Sequence, residues 1–172
     1  MRREAGGGRR KEVTLRPSRP EDLPFITALE RHPENRELIG QWSDEEHVRA
    51  IEGRERWSHW IIEAGGRPAG YVIPRDCVEQ GAGIYIKRIL IADKERGTGK
   101  LALSRFLEAA FAREAVGFVW LNVRNENARA QAVYREIGFK RFEPVGDEAR
   151  RFDLVAEAPL EKCFRMLLAR PG

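Results

Sequence analysis

The sequence predicts an α/β (α+β) fold in which a mixed, mostly antiparallel central sheet of about six to seven strands is flanked by about four helices. Two apolar runs flank Gly65-Gly66, which is a signal for a two-residue β-hairpin. Further along the chain, strand-like runs alternate with amphipathic helical stripes. A length of 172 residues, with 42% hydrophobic and 34% charged residues, fits a single domain of this kind.

The first half of the chain begins with a short predicted strand at 13–16. Two capping boxes, Ser18-Arg-Pro-Glu21 and Ser43-Asp-Glu-Glu46, predict helix starts, because the Ser and the Glu can each accept a backbone N–H of the other. Further strands are expected on both sides of the glycine hairpin and after the next glycine-containing loop, at 57–64, 67–74 and 84–91. This order favours antiparallel neighbours.

The second half carries two helical stripes separated by a strand. The first stripe follows the spacing i, i+3, i+4, i+7, i+8 and consists of Leu103, Phe106, Leu107, Ala110 and Phe111. The second stripe consists of Ala130, Val133, Tyr134 and Ile137. Gly138 follows it where a left-handed C-cap is expected. Strands are predicted at 118–124, 139–143 and 162–168. We therefore expect one domain over 12–172, preceded by a basic tail at 1–11.

The positive charge of the chain is concentrated at its N-terminus. The formal net charge is +4, but residues 1–20 contain seven basic and two acidic side chains, a net +5, which leaves the other 152 residues at −1. A nucleic-acid-binding domain needs its basic residues clustered on a folded face. The sequence therefore predicts a disordered basic tail at 1–11 and argues against nucleic acid as a partner.

The composition also limits the compartment and the metal chemistry. No apolar run approaches the ~20 residues of a membrane-spanning helix, and the N-terminus has no apolar signal core, so we expect a cytoplasmic protein with no membrane partner. The two cysteines, Cys77 and Cys163, lack the spacing of a disulfide framework or a zinc site. The three histidines show no ligand spacing either, so no metal is predicted.

The most informative segment is 89–100, with the sequence Ile89-Leu-Ile-Ala-Asp-Lys-Glu-Arg-Gly-Thr-Gly-Lys100. A strand leads into a Gly-x-Gly turn, and a helix begins just after it. Such a helix start presents unpaired backbone N–H groups and a partial positive charge, which together bind phosphate. Lys94, Arg96 and Lys100 add positive charge. A plain β–α turn that contains glycine is the alternative.

Three phosphate-binding chemistries compete for this segment. A P-loop requires Gly at position 94 and Ser or Thr at position 101, where this chain has Lys94 and Leu101, so it is excluded. Gly97-Thr-Gly-Lys-Leu-Ala102 does match the dinucleotide pattern G-x-G-x-x-A. However, residues 92–96 separate it from the strand, and the preceding segments predict antiparallel pairing, which disfavours a Rossmann unit. The third chemistry is coenzyme A binding.

Two motifs resemble those of a coenzyme A-dependent family. Lys94-Glu-Arg-Gly-Thr-Gly99 resembles the R/Q-x-x-G-x-G/A phosphate loop of the GNAT-superfamily N-acetyltransferases, with Lys94 in the Arg/Gln place. The family's L-x-V-x-x-x-N-x-x-A-x-x-x-Y-x-x-x-G-F signature resembles the run formed by Leu121, Val123, Asn127, Ala130, Tyr134, Gly138 and Phe139. The resemblance spans 12–168 and points to the branch that resembles ribosomal-protein and small-molecule acetyltransferases.

The resemblance implies transfer of an acetyl group from acetyl-coenzyme A, as co-substrate, to an amine of a small molecule or a protein N-terminus by direct attack in a ternary complex. It implies that strand 89–91 binds the pantetheine arm and stabilises the oxyanion, that Asn127 fixes the arm, and that Tyr134 protonates the departing thiolate. The implied cofactor-binding residues are Ile89, Leu90, Ile91, Lys94, Arg96, Gly97, Thr98, Gly99, Lys100, Asn127 and Tyr134. Core packing of Tyr134 and helix capping by Asn127 are the alternatives.

The general base and the acceptor site are less well defined by the sequence. Relatives often carry Glu where Tyr85 stands, which leaves Asp76, Glu79 or a water chain as the base and favours a less basic amine as acceptor. Trp42 and Tyr85 are the candidate substrate-binding residues. The identity of the acceptor and the formation of a homodimer stay open. A catalytically weak acyl-coenzyme A binding or regulatory module is the alternative function.

Overall fold

The computed structural model describes residues 12–94, 97–157 and 161–172 of the chain. Within these residues the strands are β1 (Val13–Pro17), β2 (Trp60–Ala64), β3 (Arg67–Asp76), β4 (Ile84–Ile91), β5 (Phe118–Arg124), β6 (Lys140–Phe142) and β7 (Cys163–Ala169). The helices are α1 (Leu23–Arg31), α2 (Pro33–Arg36), α3 (Asp44–Ile51), α4 (Thr98–Phe111), α5 (Ala128–Ile137) and α6 (Gly146–Ala156). The basic tail at 1–11 lies outside the described residues.

The seven described strands form one sheet in the order β1-β2-β3-β4-β5-β7-β6. All neighbouring pairs are antiparallel except β4 and β5, which are parallel. The predicted glycine hairpin joins β2 to β3, with Gly65 at φ 60° and Gly66 at φ 74°, as a type I′ turn requires at both central residues. The mixed, mostly antiparallel sheet predicted from the sequence is therefore confirmed.

The sheet opens between its two parallel strands. β4 and β5 pair only over their first residues, Ile84–Ile86 with Val119–Leu121. β4 continues to Ile91 and β5 to Arg124 without further pairing between them, so the strands splay apart. The edge of β4 beyond Ile86 consequently faces a gap instead of a neighbouring strand.

A β-bulge lies in β4 where the splay begins. Ile73 of β3 pairs with Arg88, but the next residue, Pro74, pairs with Ile86, so Lys87 is an extra residue on β4. Pro74 has no N–H for a regular ladder at this point, which suits a bulge. Because the extra residue interrupts the alternation of side chains, both Lys87 and Arg88 reach the same face of the sheet, where both contact one tryptophan ring.

Two hydrophobic clusters cover the two faces of the sheet. One joins α4 residues such as Leu103 to sheet residues such as Ile86, with α5 packed at its edge. The other joins Ile26 of α1 and Phe152 of α6 to sheet residues such as Tyr85. Burial of these large side chains, each worth about 1.5–3 kcal/mol, stabilises the two-sided architecture. None of the helices in the described ranges is long and apolar enough to cross a membrane.

Helix α6 is an element that the sequence analysis did not predict. Its N-cap position is Val145, which supplies no side-chain cap, and Gly146 follows at φ 60°. Its buried residues are Phe152, Val155 and Ala156, which belong to the second core cluster. Tertiary packing therefore overrides a weak local helix signal in this segment.

The two predicted capping boxes have different outcomes. The box at the start of α3 is confirmed, because Ser43 Oγ accepts from the Glu46 N–H at 3.2 Å and Glu46 Oε2 accepts from the Ser43 N–H at 2.7 Å. The box at Ser18 is wrong. Ser18 Oγ is instead 2.7 Å from His59 Nδ1, and the chain enters α1 through a 3₁₀ turn over Pro20–Asp22.

Candidate active site

A cleft of about 860 Å³ occupies the opening between β4 and β5. The ends of both strands, the start of α4, one face of α5 and helix α2 form its walls. The structure brings both sequence motifs to this cleft, and the predicted residues that line it are Ile89, Leu90, Ile91, Lys94, Gly97, Gly99, Lys100, Asn127 and Tyr134. Thr98, the first residue of α4, does not line it, and Arg96 lies outside the described residues.

The start of α4 is suited to an anion. Gly97 is the N-cap residue at φ 72°, a left-handed conformation that glycine adopts without strain, and the first turn of α4 contains no acidic residue. A Cβ atom added at Gly99 would lie 3.3 Å from Ile91 Cγ1, so the helix approaches the end of β4 closely. The free N–H groups and the positive end of the helix dipole thus meet the open edge of β4 at the mouth of the cleft.

Two lysines at this mouth are held by neighbouring elements. Lys94 donates a hydrogen bond to Asn35 Oδ1 of α2 and lies 3.7 Å from Glu34. Lys100 of α4 is 2.9 Å from Glu136 of α5. Partly exposed ion pairs of this kind contribute little to stability, so a bound phosphate can replace these partners at low cost.

Helix α5 places Asn127 and Tyr134 on the cleft side, two turns apart. Asn127 Oδ1 accepts from the Ala130 N–H at 3.2 Å, so this side chain caps α5 while it also lines the cleft. The ring centroids of Tyr134 and Phe139 lie 5.9 Å apart. Burial raises the pKa of Tyr134 to about 12, which keeps its phenol protonated at neutral pH.

A second cavity of about 430 Å³ adjoins the first, and Gly40, Lys87 and Arg88 line both. Trp42, predicted as an acceptor-site residue, forms a wall of this second cavity together with Trp57. Tyr85, the other predicted acceptor residue, also lines the main cleft, but only 3% of it is exposed.

The Tyr85 ring forms part of the floor between the cleft and the core. It stacks on Trp120 with ring centroids 4.3 Å apart. Burial raises the pKa of Tyr85 above its ordinary value, so the phenol is neutral.

Sequence reasoning missed a buried polar cluster centred on Glu30 of α1. This carboxylate is 1% exposed and accepts hydrogen bonds from His47 Nε2 at 3.0 Å and from the Tyr71 hydroxyl at 2.7 Å. It also accepts from Arg88 and from the backbone N–H of Trp42. Burial by itself would raise the pKa of Glu30, but the hydrogen bond from His47 and the charge of Arg88 lower it to about 2.

The cluster continues from His47 to His59 and Ser18. His47 Nδ1 is 3.2 Å from His59 Nε2, and His59 Nδ1 is 2.7 Å from Ser18 Oγ. Burial lowers the pKa of His59 to about 3, so its imidazole is neutral. Because Glu30 holds both Arg88 and the Trp42 backbone, this cluster positions two residues that line the second cavity.

The cluster predicts a steep loss of stability in acid. The folded-state pKa values of Glu30 (about 2, from 4.5) and His59 (about 3, from 6.5) are lowered, so the unfolded chain binds protons first. Stability then falls as the pH drops below 6.5, where His59 contributes, and further below 4.5, where Glu30 contributes. Each pKa unit is worth about 1.4 kcal/mol, so the loss reaches several kcal/mol. Urea unfolding from pH 7.5 to pH 4 measures it.

Two variants separate this effect from general acid sensitivity. His59→Gln removes the buried imidazole, and we expect a lower free energy of unfolding at neutral pH with a flatter slope between pH 6.5 and 4.5. His32→Gln is the matched control, because His32 is exposed and lies outside the cluster. Parallel pH profiles for the parent chain and His59→Gln would contradict this account.

The candidate bases named from the sequence do not lie in either cavity. Asp76 Oδ2 is 2.6 Å from Arg113, and its other carboxylate oxygen accepts from the Val78 N–H. Glu79 is exposed at the loop before β4. Neither residue lines the cleft. In the described residues, His, Cys, Asp and Glu side chains also form no group of three or more that could hold a metal ion.

The mixed sheet that opens between two parallel strands, with a glycine-started helix at the mouth of the opening, belongs to a fold that this chain shares with solved acetyltransferases. The family model of the acetyltransferase (GNAT) domain matches residues 12–140, and the chain belongs to this family. The protein is therefore an acyltransferase. The resemblance to the GNAT superfamily that the two motifs indicated is confirmed.

Solved structures share the whole fold. An aminoglycoside acetyltransferase in complex with coenzyme A has a TM-score of 0.72 at 19% identity, covering 92% of this chain and 95% of that one. The ribosomal-protein-S18-alanine N-acetyltransferase from Escherichia coli has a TM-score of 0.65 at 20% identity, covering 94% and 96%. An acetyltransferase from Thermus thermophilus has a TM-score of 0.65 at 22% identity, covering 91% and 96%. No curated protein sequence matches this chain.

Proposed function

We propose that this acyltransferase moves an acetyl group from acetyl-coenzyme A to the amine of a small molecule or a protein N-terminus, by direct attack in a ternary complex. One observation carries the proposal. The unpaired edge of β4, the glycine-started helix α4 and the pair Asn127 and Tyr134 line one continuous cleft. Each of these groups suits a different part of an acyl-coenzyme A molecule.

The residues present fit the coenzyme. Backbone N–H and C=O groups of Ile89–Ile91 on the edge facing β5 have no partner among the described strands, so they can pair with the amides of a pantetheine arm. The N-terminus of α4, with Lys94 and Lys100 beside it, can hold a diphosphate. An aminoglycoside acetyltransferase of the same fold was solved in complex with coenzyme A, which supports coenzyme A as the ligand.

The proposed reaction uses one proton donor and one oxyanion site. Acetyl-coenzyme A supplies a thioester whose carbonyl carbon forms the new C–N bond as the C–S bond breaks. A backbone N–H within Ile89–Ile91 stabilises the oxygen as it gains charge. Tyr134, protonated below its pKa of about 12, donates its hydroxyl proton to the leaving sulfur. The proton that the nitrogen releases as the amide forms returns through solvent to the Tyr134 oxygen. The desolvated cleft also favours protonation of that sulfur, because burial raises the pKa of a thiol.

Neither Asp76 nor Glu79 lines the cleft. The carboxylates that do line the two cavities already have partners: Glu34, Glu55, Glu136 and Glu157 pair with Lys or Arg, and Glu46 caps α3. The acceptor amine therefore reaches the cleft largely uncharged. A lysine amine, with a pKa about 2.5 units above that of an α-amine, would require about 3.5 kcal/mol more for deprotonation. We therefore propose an acceptor with a weakly basic amine, such as an α-amine or an aminosugar.

Thermal unfolding with and without acetyl-coenzyme A tests the proposal. At 100 times its dissociation constant a ligand adds about 2.7 kcal/mol, so for a chain of this size we expect the melting temperature to rise by about 5–11 °C. NADPH at the same concentration is the control and should give no shift. A shift with NADPH alone would favour dinucleotide binding, and no shift with either compound would contradict the proposal.

A further inference from the structure

Lys87 occupies an unusual position between the two cavities. It is the bulged residue of β4, it is half-buried, and it lines both the main cleft and the second cavity. Its Nζ atom lies 4.6 Å from the ring centroid of Trp57 and 5.8 Å from that of Trp42. An acceptor whose amine reaches the end of β4 from the second cavity therefore has to pass this ammonium group.

The other cations of the second cavity already have carboxylate partners. Arg88 pairs with the buried Glu30. Arg49 Nε lies 3.2 Å from Glu55. In the part of the chain that the structure describes, Lys87 forms no ion pair, and aromatic faces are its close neighbours.

The carboxylates that line the second cavity are occupied as well. Glu55 is held by the arginine just described, and Glu157 lies 3.1 Å from Arg75. Glu46 accepts the Ser43 N–H at 2.7 Å at the start of α3, where the helix dipole favours its charge. One positive charge, that of Lys87, thus remains unpaired by the described residues of this cavity.

The Lys87 ammonium group lacks a carboxylate partner among the described residues. Burial lowers the pKa of Lys87 below its ordinary value and the neighbouring Arg88 lowers it further, while the charges of Glu157 and Glu46 offset only part of this effect. Aromatic faces stabilise a half-buried ammonium only in part. An anion brought into the second cavity would complete the site.

We propose that the acceptor carries an anionic group, a carboxylate or a phosphate, which binds Lys87 while the acceptor amine faces the end of β4. The acceptor is thus an amino acid-like or phosphorylated amine whose apolar part lies between Trp42 and Trp57. This inference rests on the proposed acetyl transfer for the direction in which the amine points. The anion site itself does not depend on that transfer.

Acceptor pairs with the same amine test the substrate class. Gly-Glu-amide is compared with Gly-Gln-amide for the carboxylate, and glucosamine 6-phosphate with glucosamine for the phosphate, by chromatographic detection of the acetylated product. We expect the anionic member of at least one pair to have a kcat/KM about tenfold higher or more, the size of effect that about 1.4 kcal/mol produces. Which pair responds distinguishes the two anions.

Three variants assign the preference to Lys87. Lys87→Met keeps the aliphatic stem against the rings, and we expect the ratio within the pair to fall to about one. Lys87→Arg keeps the charge and should keep most of the ratio. Lys140→Met removes an exposed lysine on β6 that lines neither cavity, and it should leave the ratio unchanged. A neutral member preferred by the parent chain, or a preference that survives in Lys87→Met, would overturn the inference.

A binding measurement tests the anion site at Lys87 without requiring turnover. Because Trp42 and Trp57 flank Lys87, titration with glutarate should change the tryptophan fluorescence in a saturable way. Glutaramide, and sodium chloride at matched ionic strength, should not, and Lys87→Met should abolish the change. No saturable effect of glutarate, or of inorganic phosphate in a parallel titration, would overturn the anion site. Anion binding without any acetyl-coenzyme A binding would contradict the proposed function alone.

Discussion

Replacing Tyr134 by Phe lowers kcat for acetyl transfer by about 10²-fold or more, the usual contribution of a general acid, while acetyl-coenzyme A binds nearly as before. The variant keeps the ring that packs near Phe139 and removes one hydroxyl. Burial alone shifts the pKa of that hydroxyl, with no hydrogen bond from another described residue, so its removal leaves no protein group unsatisfied. The loss should therefore appear in turnover and not in stability.

Steady-state turnover and the acetyl-coenzyme A-dependent shift in melting temperature measure the two quantities on one preparation. In the parent chain we also expect no fall in kcat near pH 10, where an ordinary phenol ionises, because the pKa of Tyr134 is raised to about 12. Unchanged turnover in Tyr134→Phe would end the assignment of Tyr134 as the acid. An equal loss of affinity and turnover would indicate a packing role.

The sequence predicted those parts of the site whose residues lie close together along the chain. Gly97 and Gly99 follow a strand and begin a helix, and Asn127 and Tyr134 fall on one face of the next helix. Periodicity and local spacing are sufficient to place such residues relative to their own elements. The splay of β4 from β5 then brings the two motifs together without any further signal in the sequence.

The parts that the sequence did not predict depend on contacts between distant residues. Glu30 and Arg88 are 58 positions apart, and nothing near either residue indicates that they pair. The orientation of Lys87 depends on the register of β4 against β3, which shifts at Pro74. Helix α2, which supplies the Asn35 partner of Lys94, has only four residues and no apolar period. Such features follow from tertiary packing, which single-sequence patterns do not encode.

Replacing Gly99 by Glu abolishes detectable acetyl-coenzyme A binding, and this is the largest effect that we expect on affinity. Gly99 lines the cleft in the first turn of α4, and a Cβ atom there would meet Ile91 Cγ1 at 3.3 Å. The new carboxylate would occupy the positive end of the helix, where it is itself stabilised, and would repel a diphosphate. The fold should therefore persist, because Ile91 has only to move by a few tenths of an ångström and the helix gains a favourable charge at its start.

The control for this variant is Gly117→Glu, which adds the same side chain outside the cleft. A Cβ atom at Gly117 meets nothing within 4 Å, and the residue is exposed. We expect the shift of about 5–11 °C with acetyl-coenzyme A to survive in Gly117→Glu and to vanish in Gly99→Glu. If Gly99→Glu kept the shift while Tyr134→Phe still lost turnover, the phosphate site would have to lie away from α4, although the acid would be correctly placed. The two variants thus test the two ends of the cleft independently, because one removes only a proton donor and the other only an anion site.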